Sequence, residues 1–215
     1  MIPAPALSSF IAGAGSLERA LLPVGQRLWR VASIRFGATT WDSRDSPLFR
    51  FSPLVKMGAI VPVMYVAENK DAALAETILR APDPGERRQV SRRNLDDRQL
   101  VELETSRAYT LLRLHSLPAH HALGAQILDQ LRGTLDYGNT RTWAQYALDT
   151  FPDCDGLEWR SRQHDAHLCR VLWQAEPNVG HNFKIRRQIE LLSAPGISIV
   201  QRLAFQCRIV LDDDI

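Results

Sequence analysis

Apolar and polar positions follow one another in short blocks whose period changes along the chain. Residues 7–22 carry a helical pattern that stops at Pro23 and Gly25, where proline's fixed φ and glycine's freedom favour a turn, and this predicts a leading helix or arm. LWRVASI, from Leu28 to Ile34, predicts a strand, followed by a polar loop holding Trp41, Asp42, Arg44 and Asp45. In AIVPVMYVA, residues 59–67, Pro62 removes a ladder donor and predicts an early or edge position on a strand that ends near Tyr65. Asn69 is placed to cap a helix with the body DAALAETILR, which carries Glu76 in its interior and ends before Pro82 and Pro84.

The stretch 82–99 mixes Arg87, Arg88, Arg92 and Arg93 with Glu86, Asp96 and Asp97 and predicts a solvated excursion. LVELETS and AYTLLRL predict two strands, residues 120–132 and 140–149 two helices separated by a turn region from Gly133 to Thr140, and residues 157–161 and 168–174 two further strands. After a polar stretch around Gly180 to Lys184 and an apolar run over 189–192, Pro195-Gly196 predicts a turn and AFQCRIVLD a last strand. No internal repeat is present. The irregular order of strands and helices predicts an α+β fold over a doubly wound parallel sheet. Residues 1–27 form the predicted N-terminal helical arm and residues 28–215 the predicted domain.

Composition narrows the classes. In a chain of 215 residues, 45% hydrophobic and 23% charged residues are globular proportions that predict a folded core. Lys and Arg total 26 against 24 Asp and Glu, so the net charge of +2 supplies no global field for a polyanion, and direct nucleic-acid binding is not expected. Cys154, Cys169 and Cys207 lack any C-x-x-C spacing, which predicts neither a disulfide framework nor a zinc site and suits a reducing cytoplasm. The apolar N-terminus lacks a positive n-region and is broken by Pro3 and Pro5, so it is read as neither secretion signal nor membrane span.

Several short motifs carry little chemistry. Gly13-Ala14-Gly15 has neither the third glycine nor the preceding strand of a dinucleotide fingerprint. His120 with His121, and His164 with His167, have no companion thiol or carboxylate set in a predicted helix, so they read as surface histidines and no metal is expected. Ser161-Arg162-Gln163-His164 lacks the G-x-S-x-G elbow of a hydrolase nucleophile.

The ordered set LWRVAS, FRFSP, VMYVAENKDAALAETIL and TWAQYALDTFPDCDGLEWRSRQHD resembles the RES-domain family, toxins of bacterial toxin–antitoxin pairs that consume NAD or use it to ADP-ribosylate a target. The resemblance runs from Leu28 to the final predicted strand. It places the family's Arg on Arg30, the arginine before Phe on Arg50, the tyrosine of the Y-x-A-E stretch on Tyr65, its Glu on Glu76 and its Ser on Ser161. Arg30, Glu76 and Ser161 are thereby expected to be catalytic, and Arg30, Arg50, Tyr65 and Ser161 to bind NAD as substrate. The resemblance also implies a fold similar to ADP-ribosyltransferases with a central split sheet and flanking helices, and a cognate helical Xre-type antitoxin that blocks the active site and forms an oligomer with the toxin. Phe49 stands where the family often has glycine, and Trp159 where tyrosine is common.

These residue types suit the implied chemistry. NAD is a dianionic pyrophosphate whose nicotinamide–ribose bond breaks through an oxocarbenium-like state, so a site needs cations, a carboxylate and a stacking surface. Arginine offers phosphate a planar fork, a glutamate steadies developing positive charge, a tyrosine stacks, and a serine donates a hydrogen bond. Outside such a site each has an ordinary structural use. The rival expectations are a degenerate RES-like module that binds NAD without turnover, and a nuclease-type toxin, which would need a metal carboxylate cluster or a basic groove.

Overall fold

The computed structural model describes residues 12–45, 49–79, 89–116, 119, 121, 137–161, 167–174 and 182–212. In chain order the elements are strands β1 (Arg19–Leu22), β2 (Arg27–Ser33), β3 (Leu54–Lys56), β4 (Ala59–Val61) and β5 (Val63–Ala67), then helix α1 (Lys70–Thr77). Next come β6 (Gln89–Val90), α2 (Arg92–Leu95), β7 (Arg98–Thr105), β8 (Tyr109–Arg113) and α3 (Tyr137–Thr150). The chain continues through β9 (Gly156–Arg160), β10 (Leu168–Trp173), β11 (Phe183–Glu190), α4 (Ala194–Cys207) and β12 (Val210–Leu211).

Eight of the strands form one sheet in the order β1-β8-β9-β10-β5-β2-β7-β11. Only β8 and β9 run parallel; the other neighbours are antiparallel. The sheet divides at its centre, because β2 meets β5 at the single pair Trp29↔Ala67, whereas β2 follows β7 from Arg27↔Glu104 to Ser33↔Arg98. Side chains alternate across a pleated strand, and here each face buries its own core. One face packs Trp29, Val31, Val63, Tyr65, Leu157, Trp159, Val171 and Trp173 against residues of α1, α3 and α4. The other gathers Leu28, Ala32, Met64, Val66, Tyr109, Leu111, Leu172 and Phe183. The fold is thus α+β with a split central sheet and flanking helices.

Helix α1 starts where Asn69 predicts: its side-chain carbonyl accepts from Ala72 N at 2.8 Å, meeting one of the orphan amides of the first turn. The small buried residues Ala72, Ala73 and Ala75 let the helix lie close on the sheet. Pro62 divides the predicted run 59–67 into two strands, and β4 folds back on β3 as a separate hairpin.

The structure corrects four expectations. Arg19–Leu22, read as the end of a helical arm, is strand β1, paired antiparallel with β8, with Ala20 and Leu22 turned inward and Leu21 70% exposed. Four residues are too few for periodicity to decide; the partner strand decides. Residues 194–207, read as a turn and the start of a strand, form α4, because the Ser193 hydroxyl accepts from Gly196 N and Pro195 lies in the first turn, where its missing N–H has no intrahelical partner to lose. Only Val210–Leu211 of AFQCRIVLD remains a strand, parallel to β6. The polar stretch near Lys184 belongs to edge strand β11, which turns only Phe183 and Ile189 inward. Within 82–99, β6, α2 and the start of β7 replace a simple excursion. Residues 1–11, Arg87, Arg88, His120 and residues 122–132 of these readings lie outside the described residues. Among the described residues no helix is long and apolar enough to cross a membrane.

Candidate active site

Strands β9 and β10 extend their ladder one step past its last named pair, Leu168↔Arg160: Ser161 N donates to His167 O at 2.7 Å. This fixes Ser161, which is fully buried, on the helix-covered face. Its hydroxyl donates to Glu76 Oε1 at 2.8 Å, joining residues 85 apart in the chain. Glu76 sits half-buried near the C-terminal end of α1, its helix anchored at the far end by Asn69. Cys169 lies beside them on β10, 3% exposed, where burial first and the Glu76 charge second push its thiol up, against a hydrogen bond with Ser161. A serine hydroxyl that donates a hydrogen bond to a carboxylate restrains the orientation of that carboxylate.

Beside this pair stands a wall of rings. Tyr65 stacks on Phe49 with centroids 5.8 Å apart at 30°, and meets Trp159 edge-on at 6.4 Å, while Phe51 packs on Trp159 at 4.8 Å. Arg44, whose guanidinium donates two hydrogen bonds to Asp42, lies 5.4 Å over the Phe49 ring. The Tyr65 hydroxyl accepts from Phe51 N at 3.0 Å and sits 3.4 Å from Ser52 Oγ; burial pushes the phenol up to about 12. Arg50 is 8% exposed, with its guanidinium 5.9 Å from the Tyr137 ring centroid and its carbonyl accepting from Thr140 Oγ1. Its charge reaches both the Tyr65 hydroxyl and the Cys169 thiol, so it belongs to the same neighbourhood. Tyr65→Phe leaves the Phe51 amide without its acceptor and is expected to lower stability by about 1–3 kcal/mol, measured by urea denaturation.

Arg30 is placed differently. It alternates with Trp29 and Val31 and therefore faces the other side of β2, toward the core of Leu28, Ala32 and Ala38. One guanidinium nitrogen donates to Thr40 O at 2.9 Å and Ala38 O at 3.4 Å, while Nε is buried without a hydrogen-bond partner. Desolvation draws the guanidinium down to about 10, opposed by Asp42, so it is still charged at neutral pH. Asp42 in turn exchanges both backbone bonds with Val63, two residues before Tyr65. The structure thus brings Glu76, Ser161, Tyr65 and Arg50 into one neighbourhood and links Arg30 to it through the 38–42 loop.

Phe51, Ser52, Asp42 and Cys169 were not singled out as site residues by sequence reasoning, since only the register of β5, β9 and β10 makes them neighbours. Arg162, Gln163 and His164 lie outside the described residues, among which no group of three or more His, Cys, Asp or Glu is arranged to hold a metal ion.

The RES domain matches residues 27–193 of this chain, which belongs to that family. In fold it is similar to a chain of the crystal structure of the M.tuberculosis MbcT-MbcA toxin-antitoxin complex, with a TM-score of 0.60 and 14% sequence identity, over 94% of this chain and 97% of that one. No curated protein matches it in sequence.

Proposed function

We propose that this RES-family protein is the toxin of a toxin–antitoxin pair and that it cleaves the nicotinamide–ribose bond of NAD. The observation that carries the reading is the Ser161 hydroxyl bonded to Glu76 Oε1 at 2.8 Å, beside buried Arg50 and the Tyr65 ring. As nicotinamide leaves, positive charge grows on the ribose carbon, and a carboxylate fixed in advance stabilises that state more than the ground state. Ser161 positions the carboxylate. Tyr65, with Phe49 and Trp159, supplies ring surface for the departing base, and Arg50 supplies a guanidinium for the pyrophosphate. Arg30 supports the opposite wall by fastening the loop that leads to Asp42 and β5. Water as acceptor makes the reaction a glycohydrolysis, inorganic phosphate a phosphorolysis, and a protein side chain an ADP-ribosylation.

Its partner is a cognate helical Xre-type antitoxin that covers the site; the similar fold found in a toxin–antitoxin complex supports that partnership. The test is incubation of the purified protein, freed of antitoxin, with NAD in buffers with and without phosphate, followed by mass spectrometry. Nicotinamide with ADP-ribose or its phosphorylated form is the expected product. NAD that is bound but left intact in every buffer assigns the chain instead to a non-cleaving NAD-binding module.

A further inference from the structure

Helix α3 is fastened at two points to the chain that leaves the ring wall. Near the helix start, Thr140 Oγ1 donates to Arg50 O. Farther along, Gln145 takes both backbone groups of Val55, its Oε1 accepting from Val55 N at 2.9 Å and its Nε2 donating to Val55 O at 2.7 Å. Between these fastenings lies a cavity of about 420 Å³ lined by Asp45, Pro53, Arg141, Thr142 and Gln145. Its size falls within the roughly 300–1,000 Å³ of small-molecule sites, and the chain's own hydrogen bonds hold its walls in place before any ligand arrives.

The cavity adjoins the candidate site on the Arg50 side. Tyr137, Arg141 and Gln145 are four apart and share one face of α3, each about one turn, or roughly 5–6 Å, beyond the last. The Arg50 guanidinium stands 5.9 Å from the Tyr137 ring centroid, at the start of that row. Ser52, the residue before Pro53, places its Oγ 3.4 Å from the Tyr65 hydroxyl. From the rings, the order is therefore Tyr65, Arg50 and then the cavity. A dinucleotide has the same order of base, pyrophosphate and second nucleoside. With nicotinamide on the ring wall and the pyrophosphate at Arg50, the adenosine half has to continue past Arg50, and the row along α3 leads it into the cavity.

The lining carries the two charges that such a half requires. A guanidinium suits phosphate oxygens, and a carboxylate accepts from ribose hydroxyls, the device by which dinucleotide sites distinguish a free 2′-hydroxyl from a 2′-phosphate. Asp45 is exposed, so a ligand reaches it, and Arg141 is half-buried. We propose that this cavity receives the adenosine half of NAD, Asp45 accepting from its ribose hydroxyls and Arg141 meeting the adenosine-side phosphate, an assignment that rests on the reading of NAD as this site's ligand. The same carboxylate repels a 2′-phosphate, so the site prefers NAD to NADP.

The experiment uses the full chain, freed of antitoxin, with Asp45→Ala and Arg141→Ala. Isothermal calorimetry measures the binding of ADP-ribose and of 2′-phospho-ADP-ribose, neither of which carries the scissile bond. Nicotinamide release from NAD gives KM and kcat, and thermal melts report folding. The unmodified protein is expected to bind ADP-ribose about tenfold or more tightly than the 2′-phosphorylated form. Asp45→Ala weakens ADP-ribose about tenfold and brings the two ligands to similar affinity, whereas Arg141→Ala weakens both by about tenfold. Either loss appears in release as a raised KM with kcat kept.

An Asp45→Ala variant with unaltered affinity and unaltered preference overturns the subsite, and if its KM for NAD is also unchanged the cleaving reading stands without it. ADP-ribose held through Asp45 by a protein that releases no nicotinamide from NAD keeps the subsite and removes the cleaving reading. Should Arg141→Ala fail to melt cooperatively, Asp45→Ala, at an exposed position, still decides. Neither ligand bound and no nicotinamide released by the unmodified protein removes both.

Discussion

Glu76→Gln is expected to lower nicotinamide release by about 10²–10³-fold or more while NAD still binds. Glutamine keeps an oxygen to accept from Ser161 Oγ, so the 2.8 Å contact and the packing at the end of α1 survive and only the negative charge is lost. Charge is what the transition state uses: neutralising it withdraws stabilisation from the developing cation without greatly changing ground-state binding. The reciprocal variant, Ser161→Ala, keeps the charge and releases its orientation, so its defect is smaller. Chromatographic nicotinamide release, beside NAD-dependent thermal stabilisation of each variant, separates the two effects. Full turnover by Glu76→Gln excludes Glu76 from the chemistry.

Glu158→Ala is expected to destabilise the fold by about 3–5 kcal/mol, because it strands a buried cation. Glu158 is 3% exposed on the face opposite Ser161 and Trp159. Its Oε2 accepts from Arg170 Nε at 2.8 Å and lies 2.7 Å from Arg170 Nη2, and its Oε1 faces His115 at 3.1 Å and Arg113 at 3.3 Å. Arg170 is itself 7% exposed, and its Nη1 has no hydrogen-bond partner, so it depends heavily on this carboxylate. Burial works to raise the Glu158 pKa, but His115 and Arg170 outweigh it and hold the group at about 2, below the ordinary 4.5. A folded pKa below the unfolded one contributes stability that is fully present above the unfolded value and is lost as pH falls through the folded one. Urea midpoints measured from pH 5 down to pH 2 should therefore fall more steeply for the unmodified protein than for Glu158→Gln.

Much of the sheet could be read before the structure because its inner strands are short, apolar and bounded by polar or turn residues. The alternation in β7 and β8 and the Asn69 cap are local signals, and local signals survive folding. Edge strands and the last helix were less legible. β11 is polar because an edge buries so little of it, and AFQCRIVLD is apolar enough to suit a strand although Val200, Leu203 and Ala204 recur at helical spacing and Ser193-Ala194-Pro195 is a helix start. The residue types at the candidate site were legible in the sequence, but their geometry was not. Whether Tyr65 shares a face with Arg30 or with Trp29 follows from one pair, Trp29↔Ala67, and a slip by a single residue would reverse the answer.

Strand β1 has a bearing on where this domain can be cut. It supplies the outer neighbour of β8, from Arg19↔Leu112 to Leu22↔Tyr109, yet it precedes the span 27–193 that matches the family. A fragment trimmed to that span would bare the backbone donors and acceptors along one side of β8, an unprotected edge open to pairing with a second chain. It would also lose α4, whose Val200, Leu203 and Ala204 cover the core from beyond residue 193. The unit that folds is therefore wider at both ends than the span that the family match outlines.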